Sequence, residues 1–301
     1  MKNIFFTIII FLSFTYSSLS NDNKDSIIII NSSKSEYLES EPIWIEVNVN
    51  IPTDKKLDMA PSMGNWGILT NGKGDTLPYM SSFPFSVAIP DYRNHYYYVF
   101  PLQFYGVFED SSSIFPDSHY KLLPDTYHFQ MAVGLSINKK WEVHYSNIIS
   151  FTVKAPESDE VEARKRLFEL IKMQYGCGGD TIQCNFIFHK ILEFKNKYPD
   201  SRYLQRAEHF INLLMNDIPG LKDTLELYLF HNIELNPDSY YNNSNIHILA
   251  YIYKGSDKLF NKKLINLKKK INSTQFDKFV NEYIEEYEFK KQVEKMHKKN
   301  K

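Results

Sequence analysis

The chain has 301 residues, 43% of them hydrophobic and 24% charged, which fits two globular domains of ordinary size and excludes a disordered polymer. Its 35 basic and 36 acidic side chains leave a formal net charge of −1, so no overall field draws the molecule to nucleic acid or another polyanion.

The first element is a targeting segment. Lys2 supplies a short positive region, and an apolar run from Ile4 to Phe14 is broken only by Thr7 and Ser13. Ser18-Leu19-Ser20 then puts small residues at the two positions that a signal peptidase reads. The run is far shorter than the roughly 20 residues needed to cross a bilayer. Residues 1–20 therefore read as a cleaved signal peptide, with the mature chain starting near Asn21. No cysteine stands near the cut, so a lipid anchor is not expected. No later segment reaches spanning length, and the mature protein is expected to be soluble, in the periplasm or the extracellular space.

Residues 21–155 read as one domain, in which the apolar pattern from about residue 25 onward has period two. Ile43, Ile45, Val47, Val49 and Ile51 alternate with Trp44, Glu46, Asn48 and Asn50. Tyr127, Phe129, Met131, Val133 and Leu135 alternate with polar or small residues, as do Ile149, Phe151 and Val153. Each run predicts an antiparallel strand with one buried and one wetted face. Asn71-Gly72, Pro90-Asp91, Pro124-Asp125 and Asn138-Lys139 mark turns between them, and the segment from Asn71 to Asp75 reads as a hairpin turn. The expectation is an all-β sandwich.

Two segments here resemble immunoglobulin-like domains of bacterial envelope proteins. Tyr37-Leu38-Glu39-Ser40-Glu41-Pro42-Ile43 is similar to the entry of a second strand in that family. Leu123-Pro124-Asp125-Thr126-Tyr127 is similar to the turn that carries a tyrosine corner, and the resemblance implies that Tyr127 points its hydroxyl at upstream backbone. The inter-sheet cysteine pair of antibody domains is absent, so the likeness is one of architecture.

Pro156-Glu157-Ser158 marks a boundary, with Ser158 placed to cap a helix and Asp159 and Glu160 in its first turn. From 156 to 301 the period becomes helical. The first stripe reads Val161, Phe168, Ile171 and Tyr175, ended by Gly176. Tyr203, Leu204, Ala207, Phe210, Ile211 and Leu214 form another. The block Phe194, Tyr198-Pro199, Ser201 and Ala207 resembles the junction between tetratricopeptide-type helices, in which proline breaks the chain and alanine admits close packing. One such repeat predicts a helical hairpin, not an array, and a generic helical bundle stays open beside it. Pro219-Gly220 and Asn236-Pro237-Asp238 punctuate further helices, and 240–245 reads as a polar loop. Thr274 is placed to cap the last helix, with Phe276, Phe279, Val280, Tyr283, Ile284 and Tyr287 as its buried stripe. A frayed, lysine-rich end follows.

Cys177 and Cys184 are the only cysteines. After export they would meet an oxidising compartment, and a disulfide closing a small loop is the expected state. Cys-x-x-Cys redox spacing and a zinc-ligand set are both lacking. The nine histidines stand in no hydrolytic or metal-binding motif, and neither metal nor cofactor is expected. Aromatic residues crowd the segment from Tyr96 to Phe108; Tyr96, Tyr98 and Trp141 are candidates for an exposed face that stacks on sugar or receives a peptide. The outward set of that segment could instead pack against the helices. The last 50 residues are basic, but interleaved glutamates favour a solvated helix face over a polyanion site.

The function expected from these features is non-enzymatic: an exported protein-interaction or scaffold component of the cell envelope, with a protein partner. Two alternatives stay open. One is a carbohydrate-binding module for an envelope glycan, using Tyr96, Tyr98 or Trp141. The other is an enzyme or enzyme inhibitor whose site assembles from loops, with Cys177 as nucleophile if unpaired.

Overall fold

The computed structural model describes residues 27–55, 57–77, 95–102, 107–108, 120–175, 181–209 and 222–299, and only the backbone of 57–66, 107–108, 120–121, 174–175, 181, 222–223, 293–294 and 296–299. The expected signal peptide lies outside them. Strands come first and helices second. The strands are β1 Ile28–Ser32, β2 Glu36–Leu38, β3 Trp44–Asn50, β4 Leu57–Asn71, β5 Thr76–Leu77, β6 His95–Pro101, β7 Val107–Phe108, β8 Tyr120–Lys121, β9 Asp125–Ile137 and β10 Lys140–Lys154. The helices are α1 Asp159–Tyr175, α2 Thr181–Lys197, α3 described over 204–209, α4 Lys222–Leu235, α5 Tyr241–Ile252, α6 Asp257–Lys270 and α7 Thr274–Lys299.

One sheet has the order β1-β3-β6 and a larger one the order β2-β10-β9-β4-β5. Pairing is antiparallel except for β2, which runs parallel to β10. Strand phase explains the core between them. Ile45, Val47 and Val49 of β3 and Tyr96 of β6 meet Phe129, Met131, Val133 and Leu135 of β9 and Phe151 of β10. Successive side chains alternate across a strand, so this set uses one face of each sheet.

The opposite face of the three-stranded sheet is not wetted as its polar phase predicts. Tyr97 sits in the helical core, with Val99 packed against it. Glu46 is only 7% exposed, and Trp44 stacks on Tyr240. Helices cover that face, which makes the small sheet a middle layer. A strand sandwiched in this way has two buried faces, and its polar residues must find partners there.

Local turns follow residue chemistry. Asn138 and Lys139 both have positive φ, 50° and 63°, and close a two-residue hairpin between β9 and β10. Asn71 Oδ1 accepts the N–H groups of Lys73 and Asp75 in the β4–β5 turn, at 3.0 and 2.8 Å. The Tyr127 hydroxyl donates to the Leu123 carbonyl at 2.7 Å.

Several helical expectations are corrected. Val161 is 51% exposed; the buried stripe of α1 is Ala163, Leu167, Leu170 and Ile171. Residues 241–245 belong to α5, because Asn242 and Asn245 turn inward and satisfy their amides: Asn242 Nδ2 donates to the Asn236 carbonyl and Asn245 Nδ2 to Asn242 Oδ1. Ser273, not Thr274, caps α7, its Oγ accepting the Phe276 N–H at 2.9 Å. The lysine-rich end stays helical to Lys299, where Glu286–Lys290 pairs at i,i+4 and Lys291 lies 3.9 Å over the Tyr287 ring.

Candidate functional site

Two of the segments singled out by family resemblance, the strand entry at Tyr37–Ile43 and the helical junction around Tyr198-Pro199, meet each other. After β2 the chain turns at Ser40, which has φ 66°. There the carbonyls of Glu36, Glu39 and Ser40 point at the helices. Arg202 Nη2 donates to the first at 2.8 Å, the Tyr203 hydroxyl to the second at 2.6 Å and Arg206 Nη1 to the third at 2.7 Å. All three donors follow Tyr198-Pro199, Arg202 and Tyr203 in the turn between α2 and α3 and Arg206 in the first turn of α3. Glu160 of α1 fixes that junction by accepting from Ser201 Oγ and from the Arg202 N–H, at 2.7 and 2.8 Å.

Glu41 lies at the centre. Its carboxylate accepts the Leu38 N–H at 2.9 Å and pairs with Arg202 at 2.7 Å and with Lys34. A second buried carboxylate, Glu46, accepts from the Tyr240 hydroxyl and from Lys278 at 3.1 Å. Burial, with Glu46 alongside, pushes the Tyr240 phenol well above its ordinary range. Tyr97, beside the same carboxylate, is raised mainly by burial, and Gln275 Nε2 donates to its hydroxyl at 2.7 Å. Neither phenol ionises at any physiological pH.

Next to this joint is a cleft of about 500 Å³, walled by both regions. That is within the range of small-ligand and peptide pockets. Trp44 and Tyr240 stack at 6.0 Å between centroids, and Tyr241 meets Trp44 edge-on at 5.1 Å. Lys34, Arg202, Gln205, Arg206, Asp238 and Gln275 supply polar groups around these rings. The cleft's serine hydroxyls are committed, Ser33 to Tyr37 and Ser201 to Glu160. Such a lining offers aromatic surface with amide, guanidinium and carboxylate groups, which suits recognition.

Behind it lies a smaller polar cavity with room for about one water, lined by Glu208, His209, Asn232, Asn242 and Asn245 among others. His209 stacks on Tyr241 at 4.7 Å between centroids. Burial, and secondarily Arg206, lower its pKa to about 4, so the imidazole is neutral at pH 7.

The sequence-predicted aromatics separate. Tyr96 is 5% exposed in the core between the sheets. Tyr98 packs against that core and stacks on Phe100 at 6.4 Å between centroids. Neither forms an outward aromatic face, because strand phase sends both inward; it is Tyr97 between them that meets the helices. Trp141 does face solvent, at 55% exposure. Cys184 is buried on α2, and Cys177 lies outside the described residues. His128 is exposed and bonds Ser150 across the strands at 2.7 Å. Among the described residues no three His, Cys, Asp or Glu side chains gather as a metal site, and no helix is long and apolar enough to cross a membrane.

Sequence reasoning passed over Trp44, Glu46, Arg202, Arg206, Tyr240 and Tyr241. One signal was present: a tryptophan in the supposedly wetted phase of β3 asks for a cover. No protein-family model matches this chain, and no curated protein matches it.

Proposed function

We propose that this chain is a non-enzymatic exported protein, periplasmic or extracellular, that serves as an interaction or scaffold component of the cell envelope. In this reading 21–155 is an immunoglobulin-like sandwich and 156–301 a tetratricopeptide-like helical domain. A partner protein inserts a segment in the cleft between them.

The observation that carries the proposal is the joint itself. Arg202, Tyr203 and Arg206 hold three carbonyls of the strand entry, and the two arginines border an aromatic cleft. Groups tied to one another in this way do not need ordering when a partner arrives, and pre-organisation lowers the cost of binding. The Trp44–Tyr240 pair supplies the large rigid surface on which interface energy concentrates.

The test is comparative capture from envelope extracts with the wild-type protein and with Trp44→Ala and Gln205→Glu variants of unchanged circular dichroism. A partner recovered by the wild type and lost with both variants is expected. Equal recovery by all three, or nothing above a scrambled control, removes the cleft from the account.

A further inference from the structure

The larger sheet carries a second surface. On β9 the residues of odd number from Met131 to Ile137 fill the core, so Gln130, Ala132, Gly134 and Ser136 face outward. Directly opposite them on β10 stand Ile148, Tyr145, Val143 and Trp141. Residues paired across strands share a face, so these four side chains form one outward row. They are 47%, 58%, 41% and 55% exposed.

Trp141 is seated in a particular way. A Cβ built on Gly134 would come within 2.1 Å of Trp141 Cζ2 and within 2.9 Å of Cε2 and Cη2. The absence of a side chain at Gly134 lets the indole lie over the backbone, one side against the sheet and the other turned to solvent. Tyr145 stands four residues along the strand, about 13–14 Å away at strand rise. No outward residue of β9 or β10 between them carries a charge.

We infer that Trp141 and Tyr145 form a stacking platform for a neutral oligosaccharide chain. A ring laid on its own backbone presents a fixed apolar surface at low entropic cost, and the apolar faces of sugars fit such surfaces. The uncharged strip matches a glycan without carboxylate or phosphate groups. The separation of the rings selects a chain of several sugar units over a monosaccharide. The surface is distinct from the cleft, so either proposal can fail alone.

Titration calorimetry of the full exported protein with cellohexaose, laminarihexaose and chitohexaose tests this. Saturable binding of at least one is expected, weakened about tenfold or more by Trp141→Ala and by Tyr145→Ala separately. Gly134→Ala keeps the indole but lifts it from its seat and is also expected to weaken binding; Trp44→Ala is expected to leave it unchanged. Both platform residues are exposed, and circular dichroism of each variant checks the fold. Silence with all three sugars overturns the inference, as does binding that survives both aromatic deletions. So does self-association that disappears with Trp141→Ala while the sugars remain silent, which assigns the strip to a second copy of the chain.

Discussion

Arg202, at the turn between α2 and α3, places Nη2 2.7 Å from Oε2 of Glu41, whose side chain is 3% exposed. The pair joins the strand region to the helical region at the edge of the cleft, with the carboxylate buried and the guanidinium 30% exposed. A buried carboxylate is costly unless it is paired and hydrogen-bonded, and deleting one partner leaves that cost uncompensated. Lys34 and the Leu38 N–H remain when Arg202 is removed, which softens the loss. Arg202→Ala is therefore expected to lower stability by about 2–4 kcal/mol. Combined with Glu41→Gln in a double-mutant cycle, it should show coupling above about 1 kcal/mol. Urea unfolding measures both, and additive effects would mean that this ion pair does not hold the joint.

Shared packing also bears on cooperativity. Leu38 and Tyr97 of the strand region belong to the helical core, so each region loses part of its apolar packing if the other melts. Unfolding followed by tryptophan fluorescence reports the strand region, since Trp44, Trp66 and Trp141 all lie there. Far-ultraviolet circular dichroism reports mainly the helices. The two transitions are expected to coincide within error. A helical transition that runs ahead of the fluorescence would show two independent units.

His209 gives stability a pH dependence of definite sign. Its pKa falls from 6.5 to about 4 on folding, chiefly because burial disfavours the charged ring. Between these values the unfolded chain binds more protons than the folded one, so stability rises with pH across that window. The contribution is complete above about pH 6.5, declines as pH falls toward 4, and amounts to about 3 kcal/mol. Other groups titrate in the same range, so the informative quantity is the difference from His209→Gln. Wild-type stability should fall more steeply than the variant's between pH 7 and pH 4. Parallel curves would place the ring in contact with solvent.

The division into strands and helices was readable because hydrophobic period is local: alternation in β3, β9 and β10 needs no knowledge of the rest of the chain. The Asn71–Asp75 hairpin was equally local, since Asn71 bonds residues two and four places on. What strand phase cannot say is which element covers a face. Glu46 and Trp44 read as solvent-facing because period two distinguishes only two sides, and a three-layer packing buries Glu46 and partly covers Trp44. The polar loop at 240–245 failed for a related reason. Asn242 and Asn245 look hydrophilic, but inside they bond backbone and each other, so composition predicted exposure where satisfied hydrogen bonds allow burial. The cleft draws on residues far apart in the chain, and no pattern within one segment announces it.

Tyr127 tests the tyrosine corner directly. Its hydroxyl donates to the Leu123 carbonyl at 2.7 Å, and its ring stacks on Phe151 at 5.8 Å between centroids. Burial is the first cause that lifts its pKa, to about 12, so it remains a donor throughout the stable range. Tyr127→Phe keeps the ring and deletes the bond, which should cost about 1–1.5 kcal/mol. A change below about 0.3 kcal/mol would show that the corner adds nothing beyond ring packing.

The cysteines connect structure to compartment. Cys184 is 1% exposed on α2, and seven positions separate it from Cys177. If residues 1–20 direct export, the mature protein should reach an oxidising environment and carry the pair as a disulfide. Intact mass should then fall short of the reduced chain by two hydrogens, and a thiol reagent should react only after reduction in denaturant. In the chain-entropy description so short a loop contributes about 2–3 kcal/mol, so the reduced protein should unfold at correspondingly lower urea concentration. Cys184→Ala should match or exceed that loss, because it also empties a packed position. Two reactive thiols in protein recovered from outside the cytoplasm would remove the disulfide. They would also return Cys177 to consideration as a nucleophile, and with it an enzymatic reading of the chain.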